Sequence, residues 1–210
     1  MKAETAEPRF PLLRLSRLRM GTDGTGITTL AAGAGCPLRC RWCINGRLLR
    51  EAAPESVTAE ELLSRVERDD LYFRATGGGV TFGGGEALLH AAFLRRFRAI
   101  CPGEWRIAAE TSLAVRLENV RLASDCVDEF IVDWKDMDGE IYRRYTGGDG
   151  SLMRENLRLL LSLVGPERVL VRVPRIPEYN TADDQRRSAE ALRSMGAERL
   201  ELFDYVMPKE

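Results

Sequence analysis

The sequence contains one histidine in 210 residues, His90, set in a segment with helical apolar spacing. Histidine-based acid–base catalysis and Ser/His/Asp or Cys/His nucleophile arrangements have almost nothing to build on. No charge of one sign dominates: 31 Lys and Arg face 32 Asp and Glu, for a net charge of −1. That balance makes no basic field for nucleic acid or an anionic membrane. No run is long and apolar enough for a membrane span, and residues 1–10 lack the apolar core of a signal peptide. Neither a dinucleotide-type glycine fingerprint nor a P-loop occurs. The cysteines number five, odd and partly clustered, which does not suit a disulfide framework. A reducing, cytoplasmic compartment is expected. The cations are almost all arginine, which reads as coding-sequence composition rather than function.

What the chain does have is concentrated. Gly35-Cys36-Pro37-Leu38-Arg39-Cys40-Arg41-Trp42-Cys43 carries three cysteines at C-x3-C-x2-C spacing. Three thiolates on one short loop can hold three corners of a 4Fe–4S cube and leave one iron open to a small molecule. The same spacing is also most of a zinc site, which wants a fourth ligand. His90 lies far along the chain, and Cys101 and Cys126 stand alone, each reading as a small buried apolar residue. A second motif is Gly77-Gly78-Gly79-Val80-Thr81-Phe82-Gly83-Gly84-Gly85-Glu86. Glycine lets backbone approach a ligand closely, although a glycine run alone is often a flexible turn.

C-x3-C-x-aromatic-C is the signature of the radical S-adenosylmethionine (SAM) enzymes, and the chain resembles that superfamily. The resemblance implies that Cys36, Cys40 and Cys43 bind a 4Fe–4S cluster and are the catalytic centre, with SAM chelated on the open iron. It places Trp42 near the adenine, and Gly84, Gly85 and Glu86 as the "GGE" whose backbone meets the methionine amino group. Further matches resemble the glycyl-radical-enzyme activases: Asp23-Gly24-Thr25-Gly26-Ile27, the Gly-Gly-Gly-Val-Thr before the GGE, Asp133-Trp134-Lys135-Asp136-Met137-Asp138, and Arg172-Val173-Pro174-Arg175-Ile176-Pro177. These imply cofactor-side roles for Glu110, Thr111, Asp133, Lys135 and Arg172, and a substrate-side role for Asp23. Glu110, Thr111 and Asp133 would help hold a monovalent cation beside the SAM carboxylate.

The implied reaction is reductive cleavage of SAM to a 5′-deoxyadenosyl radical, which takes hydrogen from a glycine of a partner glycyl-radical enzyme. A flavodoxin- or ferredoxin-type reductant would supply the electron. Two other readings stand beside it: a radical SAM enzyme modifying a peptide or small molecule, as deazapurine synthases do, and a non-catalytic metal-binding scaffold domain. The chain departs from the activase pattern in places. Glu110 replaces an aspartate, Ile44 a histidine, Glu178 a glycine, and Val206 falls where a histidine is usual. The sequence stops at Glu210, where longer relatives continue, and has no cysteine set for further ferredoxin-like clusters.

Apolar segments alternate in period. Strands are expected at Ile27–Ala32, Gly79–Phe82, Trp105–Ala109, Phe130–Trp134, Val169–Ile176 and Leu200–Phe203. Helices are expected at Thr58–Val66, with a capping box Thr58-x-x-Glu61, and at Ala87–Ile100, Val115–Ala123, Asp138–Tyr145, Leu152–Leu163 and Asp183–Met195. About six β/α repeats argue for an α/β fold with a parallel sheet and outer helices. The resemblance makes this an open partial (β/α)6 barrel. One domain is expected over 1–210, with 1–20 as an extension leading into the barrel. The motifs fall at carboxyl ends of strands, where such folds place their sites.

Overall fold

Short β-branched and aromatic runs alternate with amphipathic segments, and each pair buries its apolar sides against the other. The computed structural model describes residues 7–207; residues 1–6 of the expected extension, and 208–210, lie outside the described residues. The strands are β1 (Phe10–Met20), β2 (Ile27–Gly33), β3 (Glu55–Val57), β4 (Gly79–Gly84), β5 (Arg106–Thr111), β6 (Glu129–Asp133), β7 (Val169–Arg175) and β8 (Arg199–Asp204). The helices are α1 (Gly46–Glu51), α2 (Ala59–Val66), α3 (Asp70–Thr76), α4 (Ala91–Ile100), α5 (Leu117–Ser124), α6 (Gly139–Thr146), α7 (Ser151–Val164) and α8 (Ala182–Ser194).

The sheet order is β3-β1-β2-β4-β5-β6-β7-β8. Strands β2, β4, β5, β6, β7 and β8 pair in parallel, in chain order. These are the six strands of the β/α repeat. The order has two free ends, so the sheet curls without closing. Strands β1 and β3 add an antiparallel margin. Phe10–Met20, mostly within the expected extension, forms a strand: Met20 pairs with Ile27 and Leu12 with Gly33. Its pattern is hidden because register shifts interrupt the alternation, and only its first half is well buried.

Thr58 forms the expected capping box: its side chain accepts from the Glu61 amide, and Glu61 accepts from the Thr58 amide. The Ala87–Ile100 helix begins instead with a 3-10 turn, Ala87–His90, because the Glu86 carboxylate caps it through the Leu88 amide. Helix α5 starts at Leu117 rather than Val115. Buried Asn156 of α7 donates to the carbonyls of Leu113 and Val115 at 2.8 and 2.7 Å and holds that segment out of the helix.

The core lies between sheet and helices. Phe10, Phe82, Phe93 and Phe97 form a fully packed aromatic group, with Phe10 edge-on to Phe82 at 5.5 Å between centroids. Each such side chain contributes roughly 1.5–3 kcal/mol by leaving water. Loop 21–26 between β1 and β2 closes the amino-terminal end of the barrel. The Thr25 amide and hydroxyl both donate to Glu129 at 3.0 Å, and Arg199 donates to the same carboxylate at 3.0 Å. This plug carries Asp23, 4% exposed, into the barrel interior. Among the described residues, no helix is long and apolar enough to cross a membrane.

Candidate active site

A cavity of about 530 Å³ opens at the carboxyl ends of the parallel strands. The loop after β2 brings Cys36, Cys40 and Cys43 to it, and the turn after β4 brings Gly84, Gly85 and Glu86. Strand β5 adds Glu110 and Thr111, the end of β6 adds Asp133 and Lys135, β7 adds Arg172, and the plug adds Asp23. Residues from every quarter of the chain thus share one wall. Trp42 is the exception and does not line the cavity.

The cysteine loop is pinned from both sides. The amides of Arg39 and Arg41 donate to the carbonyls of Thr146 and Tyr145, at 2.8 and 2.9 Å. The Asn45 side chain donates to the Gly84 carbonyl at 2.9 Å. His90 approaches the Ala34 carbonyl at 3.0 Å and steadies the start of the loop, with burial pulling its pKa down. Cys36 is exposed, and Cys40 and Cys43 are half-buried. Burial raises the Cys36 thiol and pushes Cys40 up to about 11, so iron charge would be needed to hold them as thiolates. No three His, Cys, Asp or Glu side chains among the described residues converge tightly enough for a single metal ion. Three thiols on one loop match the three protein-held corners of a cubane with one iron left open.

The glycine run serves the fold as well as the cavity. A Cβ on Gly85 would strike the Gly35 carbonyl, and one on Gly84, at φ +87°, would lie 2.8 Å from the Ala32 Cβ. The amides of Gly85 and Glu86 donate to the carbonyls of Gly33 and Gly35, at 3.0 and 2.8 Å. The GGE turn and the cysteine loop are therefore one backbone unit. Glu86 works through its buried side chain: it accepts from the hydroxyls of Thr111 and Ser112 at 2.5 and 2.6 Å and from the Ser112 amide at 2.8 Å. Burial raises its pKa, and these donors oppose the rise. The Thr111 hydroxyl is committed to this network.

The remaining wall pairs carboxylates with fixed cations. Arg172 reaches Glu110 at 3.4 Å and Glu201 at 3.0 Å, and donates to the Thr22 carbonyl. Lys135 lies 3.4 Å from Asp133. Arg19 pairs with Asp23. Burial, and then the neighbouring Asp133, push Glu110 up to about 7 against the pull of Arg172. Burial opposes the Lys135 charge, but Asp133, Cys40 and Tyr205 outweigh it and hold its pKa above the ordinary value. Two carboxylates already matched to Arg172 and Lys135, beside a threonine spent on Glu86, suit a monovalent cation poorly.

Trp42 is half-buried outside the cavity lining, and its indole N–H is buried without a hydrogen-bond partner. An orphan donor of this kind fits a ligand acceptor arriving at the loop. Its carbonyl accepts from the Tyr205 hydroxyl, which joins the end of β8 to the cysteine loop across the open side of the barrel. Tyr205 also lines the cavity, with Tyr145, Ser112, Arg19, Asn45 and Glu201. Sequence reasoning missed these residues. For Tyr205 the available signal was its place just after the last strand; Val206, at the usual histidine position, is 83% exposed.

Comparison with known proteins agrees with this arrangement. The family model of the Radical SAM superfamily matches residues 31–185. The pyruvate formate-lyase-activating enzyme of Clostridium pasteurianum is 36% identical over 125 residues, covering 60% of this chain and 52% of that protein. The pyruvate formate-lyase 1-activating enzyme of Escherichia coli is 30% identical over 188 residues, covering 87% of this chain and 76% of its own. The match to the Clostridium protein thus spans about half of that relative's length. A crystallised domain of pyruvate-formate lyase-activating enzyme from Bacteroides vulgatus superposes with a TM-score of 0.53 at 28% identity, covering 63% of this chain and 86% of that one.

Proposed function

The chain belongs to the radical SAM superfamily, and from that premise we propose that it activates a glycyl-radical enzyme. A 4Fe–4S cluster and SAM supply, when bound, reductive cleavage to a 5′-deoxyadenosyl radical that takes hydrogen from a glycine Cα. The observation that supports the reading most directly is the joining of Cys36, Cys40 and Cys43 to the Gly84–Glu86 turn on one cavity wall. The three thiols would hold the cluster. The Gly84–Gly85 backbone, Asp133, Lys135 and Arg172 would hold SAM in the cavity, and Trp42 stays outside that set. Lys135 and Arg172 offer positive charge to a carboxylate group. No step is derived through a monovalent cation.

The protein's part is to orient the reactants and exclude water, since the hard chemistry belongs to the cofactors. Asp23, raised into the barrel on the plug and paired with Arg19, lines the same cavity as the cysteines and would meet the substrate. A peptide loop with glycine at its tip brings backbone close because it carries no side chain there. A flavodoxin- or ferredoxin-type carrier would provide the electron. A cytoplasmic location and a single domain over the whole chain belong to the same reading.

Anaerobically purified protein is expected to carry about four irons and four sulfides, as one cubane requires. Alanine at Cys36, Cys40 or Cys43 should abolish them, and alanine at Cys101 or Cys126 should not. Stoichiometric zinc, or SAM left uncleaved under strong reductant, would leave only a metal-binding scaffold. With a candidate partner enzyme, a glycyl-type doublet in the electron paramagnetic resonance spectrum supports activation. Turnover of a free small molecule, with no radical on any partner, would move the chain to the second kind of radical SAM enzyme.

A further inference from the structure

The cysteine loop has two faces. One lines the cavity; the other carries exposed Arg39 and Arg41, and helix α1, which follows the loop, adds exposed Arg47 and Arg50. The backbone bonds from Arg39 and Arg41 to the end of α6 bring exposed Arg143 and Arg144 beside them. The Arg50 guanidinium folds over Gly46, where a Cβ would lie 3.0 Å from Arg50 and 3.5 Å from the Cys43 Cβ. Among the described residues, Arg47 alone of these six forms an ion pair, with Glu51 at 2.8 Å. Exposed Glu140 and Asp149 beside Arg143, and Glu178 beside Tyr179, offset part of this charge. Arg41 and Arg144 lie 5.6 Å from the ring centroids of Trp42 and Tyr179, which holds both guanidinium groups over aromatic surface. A chain of net charge −1 thus leaves an excess of arginine on the outer side of its cysteine loop.

The electron supply gives this surface a use. Cys101 and Cys126 are buried and follow separate helices, α4 and α5, away from the cavity lining. The arginine face gives an outside donor a direct approach to the cysteine loop. The cavity mouth is needed for the substrate, which leaves the arginine face for the donor. We infer that this face docks an acidic one-electron carrier protein; the inference rests on the radical SAM reading of the same site. The carrier gives up one electron and the cluster gains one, with no other bond made or broken at that step. Opposite charge steers such an encounter and speeds association, and added salt screens it.

The test mixes the reconstituted chain with the hydroquinone of an acidic flavodoxin and follows bleaching of the cluster by stopped flow. The double variant Arg143→Glu/Arg144→Glu, and separately Arg50→Glu, should slow the second-order rate on the order of tenfold at low salt. Raising salt should bring wild type down towards the variants. Dithionite, which needs no docking, should bleach all of them equally, and Arg106→Glu, exposed at the start of β5 at the opposite end of the strands, should behave as wild type. Calorimetric binding of oxidised flavodoxin requires no cluster and should weaken in the same variants. Variants that bind and accept electrons like wild type, or a rate indifferent to salt, overturn the docking surface. Failure of the chain to form a cluster would instead overturn the radical SAM reading, while the calorimetry would still decide the surface.

Discussion

The Glu110 carboxylate occupies the space that a side chain on Gly83 would need: a Cβ there would collide with Glu110 Oε2 and lie 3.1 Å from Leu30 Cδ1. The extra methylene of glutamate, relative to the aspartate usual at this position, is thus accommodated by a glycine on the neighbouring strand. Gly83→Ala should cost about 1–3 kcal/mol by overpacking. Combining it with Glu110→Ala should restore much of that loss, since contacting residues are not additive. Denaturant unfolding of the two single variants and the double variant measures the coupling; strictly additive effects would show that the two residues do not compete for space.

Glu110 titrates at about 7 in the folded chain, against 4.5 for a free glutamate. Between those values the folded state holds a proton that the unfolded chain has released. This contribution to stability is fully present at the acid end and is lost as pH rises through about 7. The difference corresponds to on the order of 3 kcal/mol. Burial of Glu86 and Asp136 acts in the same direction. Melting of the cofactor-free protein should therefore fall with rising pH in this window, and Glu110→Gln should flatten the slope. An unchanged slope in the variant would assign the proton to another group.

Tyr205→Phe keeps the ring and removes the hydroxyl that donates to the Trp42 carbonyl. One such bond contributes about 1 kcal/mol net. The larger effect should be local: amides in the 36–45 loop should exchange faster and reconstituted iron should be lost sooner, with global unfolding little changed. Hydrogen exchange of that loop distinguishes this from a general loss of stability.

SAM affinity should not depend on which monovalent cation is present, because Glu110 and Asp133 already face Arg172 and Lys135 at 3.4 Å each. Calorimetric titration in potassium, sodium and a tetraalkylammonium salt checks this. Tighter binding in potassium alone would mean that the carboxylates leave their arginine and lysine partners to hold an ion.

The repeat of strand and helix was legible because its signals are local. Thr58 and Glu61 announce the start of α2, and the apolar runs at Val80–Phe82 and Phe130–Val132 mark central strands buried on both faces. Strand β1 was not legible, since β3 covers it only over Phe10–Leu12 and its shifted register loses the regular alternation that betrays a strand. Helix α1 and the 3-10 turn at Ala87–His90 are too short for their periodicity to register.

The sequence by itself determined the candidate site residues and their order: three cysteines on one loop, a glycine turn after the next parallel strand, and charged residues at or near later strand ends. Such information is carried by residue type and spacing, which chemistry constrains wherever the chain lies. Only the tertiary structure decided which polar groups remain available to a ligand. Thr111 and Glu86 bond to each other, Arg172 is shared among Glu110, Glu201 and Thr22, and the Gly84 and Gly85 backbones pack against the cysteine loop. Tyr205 meets Trp42 across 163 positions of sequence. Hydrogen bonding and packing are saturable, and their partners come from strands far apart in the chain, so which groups are spent and which stay free is settled only when the sheet brings them together.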